Sequence, residues 1–264
     1  MTARDPAEDQ PPATDRPRAR PRRRGRRIAA WVFGILGAVI VLAVIAIVVY
    51  SQVGVMAAEP EPLAAVKSDP AVEITDDGAA IVMSPASGAT GDGLVFYPGA
   101  KVDPWAYASK LSGLVAEGTT VVIVKPWLNL AFFDLRPLST FTDLAPEVDE
   151  WAVGGHSLGG VKACQLAADA GQLILFASYC ATDISDSSIG VLSIAGSEDG
   201  LSTPEKIADN RHLLPEEAEL VEISGASHSS FGDYGLQPGD GTPTISDEDM
   251  IAQITAAAVP FLAG

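Results

Sequence analysis

Residues 154–160 read GGHSLGG, and that spacing points to nucleophilic attack by a serine. In a G-x-S-x-G run the serine sits at a tight reversal from strand to helix. Gly155 and Gly159 then stand where any Cβ would collide with the neighbouring strand and helix. Ser157 would project its oxygen above the sheet, and the N-terminus of the following helix favours developing negative charge. A serine hydroxyl is a poor nucleophile until a base removes its proton, and the chain has three histidines, His156, His212 and His228. His156 adjoins the nucleophile and points elsewhere at such a turn. His212 closes an acidic helical stretch, where a solvated role suffices. His228 lies in the small-residue loop GASHSSFG at 225–232 and is the expected general base. The acid is expected in IAGSEDGL at 194–201. Asp199 would accept the His228 N–H, fix its tautomer and stabilise the imidazolium. Glu198 is the near rival, Asp183 and Asp186 are more distant ones, and an ordinary Asp-Gly turn is the plain alternative. For the oxyanion, YPGA at 97–100 and the start of the helix after Ser157 offer the backbone N–H groups of Ala100 and Leu158. This chemistry requires no metal and no organic cofactor.

These residues need elements to hold them. Short runs rich in Val, Ile and Leu recur at 79–84, 93–97, 119–124, 150–154, 172–178, 190–195 and 219–223, as buried strands do. Between them the spacing predicts helices over 104–117, 158–170, 204–213 and 246–262, opened by Asp103-Pro104, Thr203-Pro204 and Ser246. Alternating strand and helix implies an α/β fold, a mostly parallel doubly wound sheet covered on both faces. In such sheets the chemistry gathers at the carboxyl ends of the strands, where Ser157, Asp199 and His228 all fall. The earliest run is a candidate antiparallel edge.

The first fifty residues differ from the rest. They carry nine Arg against four acids, whereas 51–264 carry eight Lys and Arg against thirty acids. So acidic a folded part repels phosphate backbones, which excludes nucleic acid as a partner. Residues 1–27 are expected to be a disordered Arg-rich cytoplasmic arm. Residues 28–50 are 23 without a charge, enough as a helix to cross the roughly 30 Å hydrocarbon layer. Eight Arg precede this span between 16 and 27 and none follows closely, so the rule of positive charge inside predicts a single-pass cell-membrane protein with a cytoplasmic N-terminus and an extracytoplasmic domain. A cleaved secretion signal near Val55-Met56-Ala57 is the alternative, but its apolar region is usually about 7–15 residues. Residues 51–70 are expected to be a Pro-rich extended stalk, followed by a catalytic domain at 71–264.

The strand, G-x-S-x-G and helix, the Gly-x-x-Asp loop, the His loop and the chain order Ser, acid, His together resemble the α/β-hydrolase superfamily across 71–264. YPGAKVDPWAY, VVIVKPWLNLAFFD and HSSFGDYG are similar to the small bacterial group likened to dienelactone hydrolases. The resemblance implies a carboxylic-ester hydrolase. Dienelactone hydrolases use Cys where this chain has Ser157, so their substrate does not carry over. Dehalogenase and epoxide hydrolase relatives use Asp there and are disfavoured too.

Only eleven residues separate the runs at 172–178 and 190–195, where larger relatives insert a cap domain, so the site is expected to be uncapped. Trp127, Phe132 and Phe133 are candidates for an apolar acyl wall or for core packing. Asp233 and Asp240 lie in a turn-rich stretch lacking the regular carboxylate spacing of a calcium loop. Cys164 and Cys180 both fall in the part expected outside the membrane, where a disulfide and a pair of buried thiols are the two readings. The whole describes a serine hydrolase acting on a small-molecule or polymeric ester. A thioesterase, acyltransferase or peptidase would use the same residues, and a non-catalytic envelope binding protein could use the same fold.

Overall fold

The computed structural model describes residues 23–264. Of the expected arm, residues 1–22 lie outside the described residues, while Arg23–Arg27 already belong to helix α1 (Arg23–Gln52). The chain divides into two units, the first ending at Ile47. Within α1, residues 25–52 are long and apolar enough to cross a membrane, and include an 18-residue stretch with a mean hydropathy of 3.2.

The second unit begins with a departure from the sequence reading. The stretch expected as an extended stalk folds into helix α2 (Pro60–Lys67), buries Val66, and packs Met56, Ala58 and Leu63 against the core. The prolines allow this because Pro60 and Pro62 occupy the first turn, where a missing N–H leaves no bond unmade. Glu61 in the first turn and Lys67 in the last complement the helix dipole.

Eight strands form one sheet: β1 (Val72–Asp76), β2 (Ala80–Pro85), β3 (Asp92–Tyr97), β4 (Thr120–Val124), β5 (Glu150–His156), β6 (Gln172–Phe176), β7 (Gly190–Gly196) and β8 (Glu219–Ile223). Their order is β1-β2-β4-β3-β5-β6-β7-β8. The β1–β2 and β2–β4 pairs are antiparallel, and every pair from β4 across to β8 is parallel. The expected antiparallel edge is therefore present, with β1 added to it. Helices α3 (Ala108–Ala116), α4 (Ser139–Thr142), α5 (Leu158–Leu166), α6 (Pro204–Asp209) and α7 (Asp247–Leu262) follow the chain.

The side-chain period of two builds both faces. Along β3, Leu94 and Phe96 join one core with α2, α3 and α7 residues such as Leu111 and Ile254. Val95 and Tyr97 join the opposite core with Phe141 of α4 and Ala163 of α5. Because β3 to β8 are parallel, their carboxyl ends share one edge of the sheet, and the loops after β3, β4, β5, β7 and β8 emerge there together. The short β6–β7 connection holds no helix among the described residues. Its start is held instead by a disulfide between Cys164 in α5 and Cys180, with Cα atoms 5.6 Å apart.

Candidate active site

Ser157 stands between β5 and α5 with φ 52° and ψ −122°, a conformation costing roughly 1–3 kcal/mol that persists only when its surroundings impose it. Those surroundings are identifiable. The Ser157 N–H donates to Phe176 O across to β6 at 3.0 Å, and the Ser178 hydroxyl donates to Ser157 O at 2.7 Å. A Cβ on Gly155 would lie 2.4 Å from the Gly159 carbonyl carbon, and one on Gly159 would lie 2.0 Å from Tyr97 O. Both glycines are thus required by close backbone approach, as the motif implies. All five non-glycine residues with positive φ among the described residues, Lys101, Leu128, Asn129, Ser157 and Ala177, follow the carboxyl ends of β3 to β6, so backbone strain gathers where the chemistry is expected.

His228 follows β8 and is buried with Asp199, which follows β7. Its Nδ1 lies 2.8 Å from Asp199 Oδ2. The other carboxylate oxygen accepts the N–H groups of Leu201 at 2.8 Å and Ser202 at 2.7 Å, which fixes the direction in which Oδ2 faces the imidazole. Glu198, Asp183 and Asp186 are exposed, and none of them bonds His228 among the described residues. The His228 ring lies 4.5 Å from the ring of His156, the chain neighbour of Ser157. Ser157 Oγ makes no hydrogen bond to His228 among the described residues; in ligand-free sites such bonds are commonly long and close only around substrate. The N–H groups of Ala100 and Leu158 donate to no protein group among the described residues, leaving both free for an incoming oxygen.

The other histidines have structural roles. His212 is exposed and its Nδ1 sits 2.8 Å from Asp209 O. His156 is fully buried, and burial followed by the nearby His228 holds its pKa well below the usual imidazole value, so it is neutral. Tyr107 Oη accepts the Gly99 N–H at 2.9 Å and lies 2.9 Å from His156 Nδ1. Burial raises the tyrosine's pKa, so its hydroxyl stays protonated and donates to Nδ1. That chain of two bonds links the loop bearing Ala100 to the residue before Ser157.

Sequence reasoning missed Asp240, and nothing in its turn-rich surroundings marks it. Its Oδ1 accepts the N–H groups of Gly200 at 3.1 Å and His228 at 3.0 Å. Its Oδ2 accepts the Ser229 N–H at 2.8 Å and the Ser229 hydroxyl at 2.9 Å. Burial pushes this carboxyl's pKa up, but the N–H groups of Ser229, Gly200 and His228 outweigh it and hold the group below the usual range. Asp240 therefore clamps the acid loop to the histidine loop. Asp233, in the same stretch, pairs with buried Lys110 at 2.6 Å, and Lys110 also meets Asp247 at 2.5 Å. Trp127, Phe132 and Phe133 are half-exposed rather than core.

A family model agrees with this architecture. Residues 93–252 match the model of the alpha/beta hydrolase family, a span that includes Ser157, Asp199 and His228. Among solved structures, an alpha-beta serine hydrolase homologue from Coxiella burnetii is 14% identical, with a TM-score of 0.48, over 72% of this chain and 96% of that one. No curated protein sequence matches.

Proposed function

We propose, from the premise that this chain belongs to the α/β-hydrolase family, that it is a membrane-anchored, extracytoplasmic serine hydrolase cleaving carboxylic esters. The observation that carries the reading is the strained Ser157 turn beside a buried His228–Asp199 pair 2.8 Å apart. In this mechanism His228 Nε2 takes the Ser157 proton as Oγ attacks the ester carbonyl. Asp199 Oδ2 holds Nδ1–H and stabilises the imidazolium. The Ala100 and Leu158 N–H groups receive the oxyanion, a contribution of roughly 3–4 kcal/mol per donor in comparable sites. The imidazolium then protonates the leaving alcohol, and water, activated by the same histidine, cleaves the acyl-enzyme.

Membrane anchoring is supported by the uncharged run at 28–50 within α1, and the extracytoplasmic placement by the Arg run before it. The Cys164–Cys180 disulfide fits an oxidising compartment. The test is intact mass of the full chain after fluorophosphonate treatment, beside Ser157→Ala. The expected result is one adduct on the wild type and none on the variant, with turnover lowered at least about a hundredfold by the substitution. A folded wild type that takes no adduct overturns the hydrolase reading in favour of a binding protein on the same fold.

A further inference from the structure

The domain's exposed apolar side chains and its basic ones are not scattered. Trp127, Phe132, Phe133 and Leu135, in the loop after β4, are 50%, 52%, 43% and 78% exposed. Most other large exposed apolar residues belong to α1 itself. This loop borders the candidate site, because its Ala131–Phe133 turn packs on α5, the helix that starts after Ser157. It also joins the oxyanion loop, since Lys101 N–H donates to Asn129 O at 2.8 Å.

The same loop holds the end of the apolar span. Asn129 Nδ2 donates to Ser51 O at 3.1 Å, and Lys101 Nζ sits 4.4 Å from the centre of the Tyr50 ring. Cations collect here although residues 51–264 carry only eight against thirty acids. Lys67 and Lys125 both lie over Trp105, at 4.1 and 5.8 Å. Arg136 lies over Trp127 at 5.7 Å and donates to Lys125 O at 2.8 Å. With Lys101, four of the eight cations lie around these loops, Lys125 paired with Asp76 and Arg136 with Asp134, which leaves Lys67 and Lys101 without a carboxylate partner among the described residues. Exposed aromatic and aliphatic side chains ringed by Lys and Arg suit an interface of acyl chains below anionic headgroups.

We propose that this face rests on the outer leaflet of the bilayer that α1 crosses, and that the site takes an amphiphilic acyl ester resident in that leaflet. The inference rests on the membrane-anchored hydrolase reading and deepens it. The occupant is the bilayer because the chain's own uncharged run ends at Tyr50, whose ring lies under Lys101, and the next residue, Ser51, accepts a hydrogen bond from Asn129, both partners standing in the loops that form the face. The apolar loop therefore starts where the span leaves the hydrocarbon.

The full chain in vesicles of phosphatidylcholine and phosphatidylglycerol tests this. Both native cysteines are in a disulfide, so Leu135→Cys accepts one environment-sensitive fluorophore. Glu217→Cys, on an exposed turn away from the face, serves as the control. The expected result is quenching by spin-labelled lipid at position 135 at least about fivefold stronger than at 217, as insertion to headgroup depth implies. Equal aqueous behaviour at both positions, in a chain that resists alkaline carbonate extraction, overturns the docked face while leaving the anchor intact. Release of the chain by carbonate overturns the anchor and the docked face together.

The substrate source is read separately. Replacing Phe132, Phe133 and Leu135 by Ser is expected to lower cleavage of a fluorogenic long-chain ester held in the vesicle bilayer about tenfold more than cleavage of the same ester dispersed as monomers in water, since an acyl wall would affect both and loss of interfacial binding only the first. Equal losses on both forms overturn the bilayer as the source.

Discussion

Asp240→Asn is the most informative single substitution, because asparagine keeps the shape and removes only a charge and one acceptor. Its carbonyl oxygen can take the place of Oδ1 before the Gly200 and His228 N–H groups. Its amide then faces Ser229, where the carboxylate accepts both a backbone N–H and a hydroxyl. The hydroxyl can turn and accept, but the N–H cannot, so one charge-assisted bond is lost and a donor faces a donor. Hydrogen bonds to charged groups contribute roughly 1.5–3 kcal/mol each. For a half-buried site the loss comes to about 2 kcal/mol, or a fall in Tm of about 4–8 °C for a domain of this size. The sign of the pH dependence is also fixed. The folded pKa of Asp240 lies below its ordinary value, so its stabilisation is present above about pH 4 and is lost as pH falls through the folded value. The gap in Tm between wild type and variant should therefore close in acid. Because two of the lost or weakened bonds hold the backbone of His228 and Ser229, kcat/KM on a soluble ester should fall about tenfold. Differential scanning fluorimetry from pH 3 to 8 and steady-state kinetics on the full chain in detergent read all three effects. An unchanged Tm refutes the clamp; a lowered Tm with unchanged kcat/KM shows that the clamp stabilises the fold without positioning the histidine.

Further predictions follow from other close contacts. Gly159→Ala places a Cβ 2.0 Å from Tyr97 O and 2.5 Å from Pro98 O, neither of which can rotate away; thermal melts should show a loss above about 4 kcal/mol, and esterase activity should disappear. Tyr107→Phe leaves the Gly99 N–H and His156 Nδ1 unpaired at full burial, a cost of about 3 kcal/mol that scanning fluorimetry would read as a drop of roughly 6–12 °C. Replacing both Cys164 and Cys180 by Ala opens a loop of sequence separation 16 and should cost about 3 kcal/mol, read against the oxidised wild type by the same method.

Much of the fold was legible because its signals are local. Seven strands announced themselves as apolar runs, and four helices as stretches following them, three of them opened by a capping residue. β1 did not, because VEITD buries only one side chain fully and exposes both its acids, so its period is masked at a polar edge. The α2 segment misled for a different reason. Two prolines within three residues bias a chain toward extension, yet both fit a helix's first turn, and only the buried Val66 shows what the segment gains by coiling. At the candidate site, Ser157 and its glycines form a contiguous motif. His228 and Asp199 were found by elimination and loop position, and the structure brings those two together. Asp240 and Tyr107 act through groups 12 and 49 residues away, contacts that no short window of sequence encodes.

The folding of residues 53–67 into the domain also sets how far a hydrolase anchored as proposed can act. An extended stalk of 20 residues would allow a tether of up to about 66 Å, enough to sweep a deep volume beyond the cell surface. Here Met56 is bonded to both Lys101 and Asp103, and Glu59 to Asp233, so that slack is absent. With the span in a bilayer, the only remaining reach is the domain's own size, a radius of gyration of about 17 Å. Under the proposed anchoring, esters fixed in a distant wall polymer are out of range. With the proposed bilayer-resident substrate, encounters occur in two dimensions, at a rate set by lateral diffusion and by the surface density of substrate rather than by its concentration in the surrounding fluid.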